Sequence, residues 1–91
     1  MYIHLGRDTM IRMDEVIGIF DLDTSTIAKN TRDYLSRAEK AGDVVNVAVD
    51  LPKTFVVVKN PKRPTGQTVY LSQISSATLL KRAGQMSRYE F

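Results

Sequence analysis

Two β-branched runs stand almost back to back in the middle of this chain, Val44-Val45-Asn46-Val47-Ala48-Val49 and Thr54-Phe55-Val56-Val57-Val58, parted only by Asp50-Leu51-Pro52-Lys53. Such side chains suit the pleated, half-buried surface of a sheet, and the proline between them turns the chain rather than continuing the ladder. Strands are therefore expected at 44–49 and 54–58. A breaker-rich loop follows, Lys59-Asn60-Pro61-Lys62-Arg63-Pro64-Thr65-Gly66, and then Gln67-Thr68-Val69-Tyr70-Leu71. This predicts a further strand at 67–71 and a long hairpin whose basic tip lies in solvent.

The first half adds a β-hairpin, with alternating apolar runs at 2–5 and 9–13 around Gly6-Arg7-Asp8. Val16-Ile17-Gly18-Ile19-Phe20 is nearly unbroken in apolar character, which predicts a central strand covered on both faces. From Asp21-Leu22-Asp23-Thr24-Ser25 the period changes. Ile27, Tyr34, Leu35 and Ala38 recur at helix-face intervals, Lys29, Arg32, Arg37 and Lys40 mostly face elsewhere, and Gly42 sits where a left-handed cap residue belongs. A helix is expected over 24–41. A short terminal helix should start at Ser75 or Ser76, run through Leu79-Leu80-Lys81-Arg82 and close at Gly84. The fold class is then α+β: a small, mainly antiparallel sheet of about six strands, one long helix and one short C-terminal helix. A single domain is expected over 1–84, with 85–91 as a flexible tail.

Composition limits what such a domain can do. With 91 residues the core is small, and small domains often add disulfides, metals or subunit contacts. There is no cysteine and one histidine, so disulfides and thiolate or histidine-cluster metal sites are excluded and self-association is the natural supplement. No stretch approaches a membrane span, and Met1-Tyr2-Ile3-His4-Leu5 lacks the basic and apolar regions of an export signal, so a cytoplasmic location is expected. Charge is uneven: residues 1–43 hold six Lys/Arg against eight Asp/Glu, and residues 44–91 hold seven against two. That asymmetry points to one cationic face.

Catalysis has little to draw on. His4 alternates with Tyr2 on a strand and reads as an ordinary strand residue, and no Ser-His or Cys-His arrangement is available. Asp21 and Asp23 could hold a hard cation, but nothing after them matches a calcium loop, and they read better as carboxylates at a helix start. No Gly-rich phosphate cradle exists, so no cofactor and no small-molecule substrate is expected. Lys81 and Arg82 suit the C-terminal end of a helix dipole. The densest cationic cluster is Lys59, Lys62 and Arg63, bracketed by Pro61 and Pro64, which should hold the loop extended and keep its cations away from the chain's own carboxylates. With Lys53 in the same half, these four are the candidate phosphate contacts to double-stranded DNA.

Three segments in order, Ile19-Phe20-Asp21-Leu22-Asp23-Thr24-Ser25-Thr26-Ile27, Asp50-Leu51-Pro52-Lys53-Thr54-Phe55-Val56 and Val69-Tyr70-Leu71-Ser72-Gln73-Ile74-Ser75-Ser76-Ala77-Thr78-Leu79-Leu80-Lys81-Arg82, with the opening Tyr2-Ile3-His4-Leu5-Gly6, closely resemble the RemB family of bacterial extracellular-matrix regulators. RemB proteins are relatives of RemA, a DNA-binding activator of biofilm-matrix operons. The resemblance implies a sheet-rich domain assembled into a homo-oligomeric ring that engages DNA through many subunits. Where RemA carries adjacent arginines before its Val/Ile-rich strand, this chain has Lys53 alone, and Glu15 stands where RemA has another arginine. The expected function is DNA-binding regulation of matrix genes. The alternative is a protein-interaction module that acts through a partner, with Met86, Tyr89 and Phe91 as contacts.

Overall fold

The computed structural model describes residues 2–22 and 29–88, with 83–88 as backbone only. The chain opens with β1 (Tyr2–Gly6) and β2 (Thr9–Arg12), an antiparallel pair, and a 3-10 turn at Met13–Glu15 leads into β3 (Val16–Asp21). Helix α1 (Lys29–Lys40) and β4 (Val44–Asn46) follow, then the hairpin β5 (Thr54–Lys59) and β6 (Gln67–Ser72), and last α2 (Ser76–Arg88).

The strands form two sheets rather than one. β1 and β2 stand alone, and the other four lie in the order β3-β5-β6-β4. β5 runs antiparallel to both neighbours and β4 runs parallel to β6, so β3, β6 and β4 share one direction. The two central strands are the Val-rich β5, buried from Thr54 to Val58, and β6. β3 lies on an edge, contrary to the central place its apolar run suggested, and Ile17 is 58% exposed and Phe20 46%. Its apolar character serves only part of its length: Ile19 packs into the core, while the Phe20 ring stacks on Phe55 with centroids 4.9 Å apart. Gly18 makes that stacking possible, because a Cβ there would come within 2.5 Å of the Phe20 ring.

Side-chain alternation gives the four-stranded sheet two apolar faces. On one, Val56 and Val58 meet Ile3, Leu5 and Ile11 of the β1–β2 hairpin, Val47, and Leu79 of α2. On the other, Phe55, Val57 and Val69 meet Ala38, Tyr34 and Leu35 of α1. Tyr34, Leu35 and Ala38 are thus the core face that their spacing predicted, and Lys29, Arg32, Arg37 and Lys40 are exposed. The Tyr34 hydroxyl donates to Gln67 Oε1 (2.7 Å), and burial pushes its pKa up.

Helix α1 ends as Gly42 implied. Asp43 N–H reaches the Ala38 carbonyl (2.9 Å), Gly42 N–H reaches that of Glu39 (3.0 Å), and Gly42 has φ 78°, the two bonds of a Schellman cap. β4 is shorter than its β-branched run, because Asn46 Oδ1 accepts from Ala48 N–H (2.9 Å) and bends the chain, turning Val47 into the hairpin-side core. Ser75 caps α2 through Thr78 N–H (3.2 Å), but the helix continues past Gly84 to Arg88. A single glycine costs a helix about 1 kcal/mol and does not by itself end it. Residues 85–88 of the expected tail therefore belong to α2, and residues 89–91 lie outside the described residues, as do Asp23 and Ile27.

Candidate nucleic-acid interface

The β5–β6 connection folds back on itself around Asn60. Its backbone N–H bonds to the Gly66 carbonyl (2.8 Å), its carbonyl accepts from Arg63 N–H (3.1 Å), its Oδ1 accepts from Lys62 N–H (3.1 Å), and its Nδ2 donates to Thr68 Oγ1 (2.9 Å). The tip is thus a braced turn, and Lys59 and Lys62 stand exposed on it.

Arg63 is placed differently from the expectation that the prolines keep the tip's cations off the chain's own carboxylates. Its Nε donates to Asp43 Oδ1 (2.7 Å) and its Nη2 to the Ala41 carbonyl (2.8 Å). Asp43 is 4% exposed, and its Oδ2 accepts from Thr65 Oγ1 (2.6 Å). The Thr65 hydroxyl and then the Arg63 guanidinium hold the Asp43 carboxyl below its usual pKa, because both stabilise the ionised form. Arg63 therefore ties the hairpin tip to the end of α1 and the start of β4. A carboxylate without a donor at this buried position would be strongly unfavourable, which accounts for the arginine.

Lys53 stands apart from the tip. It precedes Thr54 at the start of β5 and Lys59 ends that strand, so their backbones are separated by roughly 20 Å at about 3.3 Å per residue. The Lys53 end also carries acid: Asp21 is the register partner of Thr54, and Asp50 is exposed nearby in sequence. Lys81 and Arg82 are exposed on α2, and Arg82 Nη1 donates to the His4 carbonyl (3.2 Å). His4 is exposed, and its ring Nε2 bonds to the Arg7 carbonyl.

A crevice of about 400 Å³ opens beside Lys59 and Lys62, a feature with no signal in the order of the residues because it forms between two hairpins distant in sequence. Its lining joins Tyr2, Met10 and Arg12 of the first hairpin to Tyr70 of β6, together with Glu15. Arg12 is held by Asp14 through two bonds of 3.1 and 2.8 Å. One end of the molecule thus gathers three cations within a frame that also offers aromatic and carboxylate groups.

Residues 2–83 match the family model described as RemA-like, extracellular matrix regulatory protein A-like. The chain belongs to the RemA-like family. It is also similar to extracellular matrix regulatory protein B of Bacillus subtilis (strain 168), 35% identical over 83 residues, which is 91% of this chain and 90% of that protein. The RemA-like match spans every strand, so the braced tip, the Arg63–Asp43 tie and the crevice all lie inside the family domain. The family's names describe a regulator, not an enzyme. No helix among the described residues is long and apolar enough to cross a membrane.

Proposed function

We propose that the protein regulates extracellular-matrix genes in the cytoplasm by binding double-stranded DNA as a homo-oligomer, with Lys59 and Lys62 of each subunit as phosphate contacts. The observation that carries this reading is the braced tip: two exposed lysines on a turn fixed by four Asn60 hydrogen bonds meet phosphates with little ordering cost. Arg63 serves by bracing the tip through Asp43, and Lys53 belongs to a separate, opposite end. Two cations give weak binding alone. Repeated on an assembly, they raise the effective concentration of each later contact, and avidity rises by ~10² or more.

Self-association is supported by the sheet's two edges, which carry different apolar patches. Ile17 and Phe20 are exposed at the β3 edge beside a cavity of about 350 Å³, and Val45, Val49 (71%) and Leu51 (80%) are exposed at and just after β4. Unequal patches on opposite edges suit a head-to-tail contact, which closes into a ring when the rotation permits. Light scattering with and without a duplex, at low and moderate salt, tests both parts. A mass of several subunits that gains duplex at low salt is expected. A monomer at tens of micromolar protein, or no uptake of duplex at low salt, rejects the corresponding half.

A further inference from the structure

We infer that the crevice between the two hairpins is a binding site for a small nucleoside phosphate, guanine nucleotides above others. This goes beyond the DNA reading and does not depend on it. At about 400 Å³ the crevice falls in the range of small-ligand sites, and its lining brings aromatic, cationic and carboxylate side chains together. The first hairpin supplies Tyr2 and the sheet supplies Tyr70, two aromatic side chains on the lining of the kind on which planar bases stack. Lys59 and Lys62 stand on the braced tip at the same crevice and supply charge for a phosphate.

Glu15 decides which base. It is half-buried at the end of the 3-10 turn, and an ionised carboxylate accepts hydrogen bonds only. Arg12, the cation nearest to it in sequence on this wall, is hydrogen-bonded to Asp14 and also feels the charge of Glu15. A carboxylate on the lining of a crevice that also carries two aromatic side chains favours a base with two adjacent N–H donors on one edge, which guanine presents and adenine, cytosine and uracil do not. The chain has no Gly-rich phosphate loop, and none is needed here, because side-chain cations rather than backbone N–H groups meet the phosphate.

The test is isothermal titration calorimetry on the full chain, without DNA, using 5′-GMP, 5′-AMP, 5′-CMP and inorganic phosphate. GMP is expected to bind roughly tenfold tighter than AMP or CMP, the lower end of what hydrogen bonds to a charged group contribute, and phosphate alone more weakly still. Glu15→Gln should bring GMP and AMP within about twofold of each other, a discrimination change on the same scale. Tyr2→Ala, at a 52% exposed position that folding tolerates, should weaken all nucleotides without changing phosphate. Equal affinity for GMP and phosphate, no binding at millimolar GMP, or an unchanged guanine preference in Glu15→Gln overturns the proposal. Because the titrations contain no DNA, their failure leaves the DNA reading standing, and the two readings share only Lys59 and Lys62.

Discussion

Leu79 offers the sharpest test of how this small domain holds together. It is fully buried, and from α2 it enters the core formed by Ile3, Leu5 and Ile11 of the hairpin and Val56 and Val58 of the sheet. Leu79→Ala removes three carbons from that junction and leaves a cavity bounded by two sheets, neither of which can move in freely. A substitution of this kind costs roughly 3 kcal/mol. Domains of this length have a total stability of about 5–14 kcal/mol, so the loss takes a large share of it. At about 4–8 °C per kcal/mol, the melting temperature should fall by roughly 12–24 °C. Leu80, the next residue, is 55% exposed, and Leu80→Ala should cost less than about 1 kcal/mol. Thermal denaturation followed by circular dichroism, at matched protein concentration because assembly links stability to concentration, separates the two. Equal losses in both variants would refute the placement of α2 as part of the core.

Three further outcomes follow from named contacts. Asp43 is held below its usual pKa by Thr65 and Arg63, so its contribution to stability is present above the unfolded value of about 3.9 and is lost as pH falls through the lower folded value. Asp43→Asn should therefore flatten the fall of melting temperature with pH below about 4, the unfolded carboxylate value, and parallel curves would contradict the assigned bonds. Thr54 Oγ1 is buried with no hydrogen-bond partner among the described residues, so Thr54→Val should stabilise the protein by about 1 kcal/mol in denaturant titration, and a loss would reveal a partner for the hydroxyl. Gly18→Ala drives a methyl into the Phe20 ring and should cost about 1–3 kcal/mol, whereas a neutral result in the same titration would mean that Phe20 is free to leave Phe55.

Much of the architecture is legible from local periodicity, because periodicity reports which side of an element is buried. The Tyr34, Leu35 and Ala38 face, the Val-rich strand at 54–58, the cap at Gly42 and the hairpin that follows that strand can all be read from neighbours in sequence. What local pattern cannot carry is the partner of each face. The run at 16–20 looks central because it is apolar, yet its place at the edge depends on β6 pairing with β5 and β4 lying beyond it. The hairpin at the start reads as two more strands of one sheet, and only packing shows that it covers the other sheet's face instead. Arg63 looks like a solvated loop cation until Asp43, twenty residues earlier, is brought against it. The candidate site was half legible for the same reason: Lys59 and Lys62 belong to one loop, whereas the crevice beside them is made by tertiary contact.

The central claim is that the tip, and not the Lys53 end, meets DNA. Fluorescence anisotropy of a labelled duplex, titrated over a range of salt, decides it with Lys59→Ala/Lys62→Ala set against Lys53→Ala. The double variant should keep its assembled mass, bind all duplexes more weakly, and lose about 0.9 from the log–log salt slope for each phosphate contact removed. Lys53→Ala should leave the slope within error of the parent. An unchanged slope in the intact double variant, or a loss confined to Lys53→Ala, would contradict the assignment.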